Sequence, residues 1–182
     1  MIYLPDDSIE RNSIELRMGQ MITIPGIGSM TLGHPSAGGG AFFTAAHRTL
    51  PQETRVLRES GGTPIGVTNR SAFNMTADFV EVVVNPDVRV SSFIPIGVTI
   101  RDYRGFARSG DRVISIRGMS GGRIINVYEP FFTSVNGGLV NKLLAYPNDV
   151  SQAGDSGAAL IRTTDNSVIA VFVSVRNFCY AL

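Results

Sequence analysis

Short runs of β-branched and other apolar residues, cut by Gly, Pro and Asn, recur along this 182-residue chain. They include Met21 to Ile24, Phe79 to Val84, Val88 to Ile94, Val113 to Ile116, Arg123 to Val127 and Val168 to Val175. Runs of this length between turn signals are what strands look like in sequence. No segment sustains the 3.6-residue apolar period that a core-facing helix needs. A composition of 20 Gly and 9 Pro with only 17% charged residues fits the same class. Asn136-Gly137-Gly138 is a good hairpin turn. Antiparallel strands need only short connections, so the chain is predicted to be all-β. Its length suits a single domain large enough to bury a core, and no repeat or low-complexity stretch interrupts it.

Two segments carry chemistry. Gly154-Asp155-Ser156-Gly157 sets a serine in a glycine-bounded turn, and Thr44-Ala45-Ala46-His47 ends an apolar run in a histidine. A serine hydroxyl is a weak nucleophile unless a neighbouring base takes its proton. Imidazole does this best, because it titrates near neutral pH. The chain has only 2 histidines, His34 and His47. His34 lies in Gly33-His34-Pro35-Ser36, which reads as a solvated connecting loop. Glycines let a turn aim successive N–H groups into one concavity, where negative charge can settle. The N–H groups of Gly154 and Ser156 are the candidates for such an oxyanion hole. Alone, this tetrapeptide is more often an ordinary turn, since Gly, Asp and Ser all form turns. The upstream histidine shifts the balance towards a site.

With the histidine first and the serine last, an acid is expected between them. Asp78 is the best candidate, in Thr76-Ala77-Asp78-Phe79-Val80 at the head of an apolar run. A carboxylate flanked by Ala and Phe is expected to be partly buried, and buried carboxylates need partners. Its plainer alternative is a solvated residue at a strand entrance. The competing acids are Glu81, facing away from the core in an alternating strand, Asp87, in the turn after Pro86, and Asp102, in Arg101-Asp102-Tyr103-Arg104.

The pieces Phe42-Phe43-Thr44-Ala45-Ala46-His47, Ala77-Asp78-Phe79-Val80 and Gly154-Asp155-Ser156-Gly157-Ala158-Ala159-Leu160 resemble the motifs of chymotrypsin-like serine proteases. The stretch from Gly110-Asp111-Arg112-Val113-Ile114 to Gly118-Met119-Ser120-Gly121-Gly122 resembles the hairpin that opens the second barrel in compact bacterial members. Val171-Phe172-Val173-Ser174 resembles the strand lining their primary pocket. The resemblance implies two antiparallel β-barrels with the active site in the cleft between them, here about 1–95 and 96–182, with a seam near 90–108. It implies a triad of His47, Asp78 and Ser156 and an oxyanion hole from Gly154 and Ser156. It sets Val150 at the base of the substrate pocket, beside Ser174 and Arg176. An apolar base implies neutral, small or medium apolar side chains before the cleaved bond, whereas Arg176 would favour an acidic one. No cofactor is expected.

Several departures matter. Many relatives are disulfide-stapled, but a single cysteine, Cys179, excludes an intrachain disulfide and is compatible with a reducing compartment. It is read as a small packing residue. The segment from Met1 to Asp7 lacks the basic start and apolar core of a signal peptide. The expected location is cytoplasmic, unless the chain is a fragment of a larger or secreted precursor. The apolar end at Tyr180-Ala181-Leu182 lacks the C-terminal helix common in the family. There is no activation sequence of the family's usual kind, so Asp155 is expected to be satisfied locally and the enzyme active as made.

The remaining features exclude rather than suggest. The formal net charge is +1, and Arg101, Arg104, Arg108 and Arg112 read as a solvated loop, with nucleic-acid binding the weaker alternative. No stretch is long enough for a membrane span, no Cys/His cluster has metal spacing, and Gly26, Gly28 and Gly33 make no dinucleotide fingerprint. A peptide or protein substrate is therefore expected, with neither nucleic acid nor membrane as partner. The favoured class is a serine endopeptidase. The alternative is a catalytically silent protein-binding module on the same scaffold. An esterase of the nucleophile-elbow type fits less well, because Gly-x-Ser-x-Gly fails at Ala158 and the histidine comes first.

Overall fold

The computed structural model describes residues 13–36, 38–59, 61–74, 77–91, 93–94, 98–100, 112–116, 122–126, 131–135, 138–145, 154–174 and 178–181. Among the described residues every regular element is a strand. β1 (Ile14–Arg17) leads into β2 (Met21–Ile24), β3 (Gly28–Thr31), β4 (His34–Pro35), β5 (Ala41–Thr44), β6 (Arg55–Arg58), β7 (Pro64–Asn74) and β8 (Ala77–Val84). β2 to β8 form a 7-stranded sheet in the order β3-β2-β6-β7-β8-β5-β4. Next come β9 (Val88–Ser91), β10 (Phe93–Ile94) and β11 (Val98–Thr99). The chain ends with β12 (Arg112–Ile116), β13 (Gly122–Asn126), β14 (Phe131–Val135), β15 (Gly138–Ala145), β16 (Ala159–Arg162), β17 (Val168–Ser174) and β18 (Phe178–Ala181). These last strands make a second 7-stranded sheet, β13-β12-β16-β17-β18-β15-β14. Each large sheet thus draws its strands from one half of the chain.

Two apolar clusters sit against these sheets. Leu16, Ile22, Ile24, Met30, Phe42, Val56, Ile65, Val80 and Val82 belong to one. Met18, Ile100, Ile116, Ala159, Ile161 and Val168 form the other. Full burial of side chains this size stabilises by about 1.5–3 kcal/mol each, before the cost of ordering the chain. Period-2 alternation decides what β8 buries. Asp78, Val80 and Val82 are buried, while Phe79 and Glu81 are half-buried and Val83 is exposed. Asp78 is therefore carried on the core face of its strand by the same alternation that buries the two valines.

The expected strands appear, with two differences. The run Val88 to Ile94 is split between β9 and β10, and β9 pairs in parallel with β1, Ile14 opposite Val88. β7 is the longest strand, yet Pro64, Gly66 and Asn69 punctuate it with residues that read as turn signals. Asn136 and Gly137 lie outside the described residues; the register Val135↔Gly138 joins β14 to β15 across them.

The expectation of a solvated His34 is corrected. His34 is buried in β4, opposite Phe43, and its ring stacks on that of Phe43 at 5.0 Å. The Gly-His-Pro-Ser sequence imitates a loop because of Pro35. β4 lies at the edge of its sheet, where a residue without an N–H costs no ladder bond. Burial lowers the His34 pKa from its ordinary 6.5, against a smaller opposing effect of the Pro35 carbonyl. Below pH 6.5 the unfolded chain binds a proton that folded His34 resists, so stability is lost as pH falls through that value. The slope reaches about 1.4 kcal/mol per pH unit for one such group. Denaturant titrations at pH 7.5 and 5.5 are expected to show a larger loss for the wild type than for His34→Phe. Equal losses would mean that His34 is solvated after all.

Candidate functional site

β5 ends at Thr44, opposite Val80 of β8. Two residues further the ladder would pair Ala46 with Asp78. The Asp78 carboxylate replaces that pairing. Its Oδ1 accepts the backbone N–H of Ala46 at 2.7 Å and of His47 at 2.8 Å. The chain turns sharply there, with His47 at φ 57. A non-glycine residue in this left-handed region carries strain of about 1–2 kcal/mol, which a charge-assisted hydrogen bond of about 1.5–3 kcal/mol can offset. The turn brings the imidazole back over the carboxylate. His47 Nδ1 lies 3.4 Å from Asp78 Oδ2, with the imidazole 28% exposed and the carboxylate fully covered. Among the described residues Oδ2 has no hydrogen-bond donor, so a few tenths of an ångström of closure towards Nδ1 would give this buried acceptor one.

The serine arrives by another route. Gly154 and Gly157 adopt φ 96 and 93, the left-handed region that glycine tolerates best. Thr31, fully buried at the end of β3, grips the turn between them. Its N–H donates to Ser156 O at 2.7 Å, and its hydroxyl donates to Gly154 O at 2.7 Å. The Thr31 carbonyl in turn accepts the Thr44 hydroxyl at 2.7 Å. The Ser156 turn is thus tied, through Thr31 and Thr44, to the strand that leads into His47. A Cβ on Gly157 would overlap the Thr44 hydroxyl and the Thr31 carbonyl, and one on Gly33 would overlap the carbonyls of Phe43 and Gly157. The chain approaches this closely at these two positions because neither glycine carries a side chain.

Of the sequence-predicted residues, His47 and Asp78 lie together, and Ser156 and Gly154 share a turn bound to the His47 strand. The Gly154 and Ser156 N–H groups donate to no described residue. Asp155 is buried. Among the competing acids, Glu81 accepts from Arg70 Nε at 2.8 Å and Asn69 Nδ2 at 2.9 Å, on the face of β8 opposite Asp78. Asp87 is exposed in a turn, and Asp102 lies outside the described residues. So do Val150, Arg176, Arg101, Arg104 and Arg108; Ser174 ends β17, opposite Phe178. No group of metal-ligating side chains occurs among the described residues. Sequence reasoning missed the role of Thr31 entirely. Nothing local marks it, because its hydroxyl's partner is 123 residues away.

No protein-family model and no curated protein sequence matches the chain. Solved structures do. A Nocardiopsis protease is 21% identical, with a TM-score of 0.68 over 92% of each chain. Chymotrypsin from Cellulomonas bogoriensis is 20% identical, with a TM-score of 0.67, again over 92% of each chain. Thermobifida fusca protease A is 19% identical, with a TM-score of 0.68 over 92% of this chain and 90% of its own. Similarity over nine-tenths of both partners concerns the whole architecture and not a local motif. With its all-antiparallel large sheets, the chain has the two-barrel fold of the chymotrypsin-like serine proteases.

Proposed function

We propose that this chain is a serine endopeptidase. The observation that carries the proposal is the buried Asp78 carboxylate, which orders the His47 backbone through Oδ1 and faces His47 Nδ1 with Oδ2. An Nδ1–H directed at this oxygen leaves Nε2 as the basic nitrogen. Nε2 then takes the Ser156 hydroxyl proton as Oγ attacks the peptide carbonyl carbon. The C=O electron pair moves to oxygen, and the N–H groups of Gly154 and Ser156 stabilise the resulting oxyanion. Collapse expels the amine, which leaves with the proton from His47, and Ser156 is acylated. Water repeats the sequence, giving its proton to Nε2 and freeing the acid product.

A fluorophosphonate is expected to label the wild type and not Ser156→Ala. Loss of one oxygen from a turn should leave the fold unchanged. His47→Ala is expected to abolish peptide-amide hydrolysis, whereas His34→Ala should keep most of it once folded. Labelling that survives in Ser156→Ala would remove the proposal. An unlabelled wild type would favour a silent binding module.

Asp78→Asn tests the acid. The amide oxygen can keep the N–H groups of Ala46 and His47, so the turn survives. The amide NH₂ then occupies the Oδ2 position and donates to Nδ1, which moves the imidazole proton to Nε2. A loss of about 10⁴ in kcat is expected, equivalent to about 5.5 kcal/mol. Glu81→Gln should cost far less, since Glu81 pairs with Arg70. A mild Asp78→Asn phenotype would reject the assignment.

Specificity rests on the resemblance, through Val150 at the pocket base. A peptide library is expected to show cleavage after neutral, small or medium apolar residues. Cleavage concentrated after Lys or Arg would contradict this pocket.

A further inference from the structure

We propose that Thr31 is a positioning residue for the oxyanion turn, its hydroxyl fixing the peptide plane that follows Gly154. The inference rests on the endopeptidase reading and adds to it the group that holds the turn in a competent shape. Gly154 sits at φ 96 with no side chain to restrict it. Rotation about its backbone bonds would re-aim the neighbouring N–H groups that the mechanism needs. The restraint is the Gly154 carbonyl, which accepts the buried Thr31 hydroxyl at 2.7 Å. The Thr31 N–H holds Ser156 O at 2.7 Å, so one residue anchors the turn on both sides of Asp155.

The hydroxyl has one proton and two neighbours. Met21 Sδ is 3.7 Å away, and a thioether is a weak acceptor. The carbonyl is nearer and stronger, so the proton goes to Gly154. The position of Thr31 is itself fixed, because its carbonyl accepts the Thr44 hydroxyl on the strand leading to His47. Base and oxyanion turn are therefore set by one chain of hydrogen bonds, from Thr44 through Thr31 to Gly154. This chain would let the turn hold its shape without a salt bridge from a newly cut N-terminus.

Thr31→Val keeps shape and volume but removes the donor. Removing an oxyanion donor outright costs about 10²–10³ in kcat. Loosening one by loss of its restraint is expected to cost less, about 10- to 100-fold, with KM for a peptide amide nearly unchanged. Affinity for a peptide aldehyde, whose adduct with Ser156 places an oxyanion in the hole, should fall in parallel with kcat. Thr31→Ser, which restores the donor, should recover most of both. If Thr31→Val does not fold, Thr31→Cys takes its place, since a thiol is a weaker donor of similar size; an intermediate loss of kcat is then expected. A substituted enzyme within twofold of wild type in kcat would overturn the proposal. So would a loss confined to KM, or one that Thr31→Ser fails to restore, because either would indicate a packing role only. Fluorophosphonate labelling of the wild type separates the two levels. A labelled wild type with an unaffected Thr31→Val rejects Thr31 alone, whereas an unlabelled wild type rejects the endopeptidase reading and the inference with it.

Discussion

The candidate site depends on a carboxylate placed on the wrong face of a strand. Alternation along β8 puts Asp78 with Val80 and Val82, where an apolar residue would ordinarily go. A buried carboxylate without partners is expensive enough to be neutralised or expelled. Here the cost is met by the neighbouring strand, which stops pairing at Thr44 and presents the N–H groups of Ala46 and His47 to Oδ1. That capture bends the chain, forces His47 to φ 57 and swings its ring over Oδ2. One side chain thus ends a strand, stabilises a strained turn and aims an imidazole.

The second requirement is contact between the two halves of the chain. Side chains alone would hold Ser156 too far from the first sheet. The junction instead uses bare backbone, with Gly33 and Gly157 face to face and the hydroxyls of Thr31 and Thr44 filling the polar gap. Every group in that gap is buried or nearly so, which makes each hydrogen bond costly to leave unmade. Such a junction has few alternative arrangements, because any side chain larger than a hydrogen at Gly157 meets the Thr44 hydroxyl. The shape of the serine turn is set from outside it.

What the sequence disclosed follows the range of the forces involved. Strands with β-branched runs were legible, since alternation and turn residues are local signals. Met21–Ile24 coincides with β2, and Phe79 to Val84 lies within β8. β7 was not legible, because cross-strand pairing with β8 overrides the turn propensities of Pro64, Gly66 and Asn69. The parallel pairing of β1 with β9 joins segments some 70 residues apart, and no local pattern records it. His34 was misjudged for the same reason: its burial comes from tertiary packing at a sheet edge. Within the site, His47, Asp78 and Ser156 stood out because chemistry restricts their identity. Thr31 did not, because a threonine near the end of a strand is ordinary and only its distant partner gives it meaning.

The same geometry bears on whether the scaffold is catalytic or merely structural. If Asp78 served only to order the turn, Asn would do as well: its oxygen can accept the N–H groups of Ala46 and His47 without burying a charge. The second carboxylate oxygen would then be a liability, since a buried acceptor without a hydrogen bond costs about 1–3 kcal/mol. Among the described residues Oδ2 is in that position, and the Nδ1 of His47, 3.4 Å away, is a group able to relieve it. Under the proposed mechanism, the benefit of a charge there is greatest when the imidazole takes the proton of the Ser156 hydroxyl. On the proposed endopeptidase reading, a carboxylate that is partly unsatisfied in the resting protein and better satisfied once the histidine is an imidazolium serves proton transfer more than stability. That difference between the resting and protonated states is what separates an enzyme from a binding module built on the same barrels.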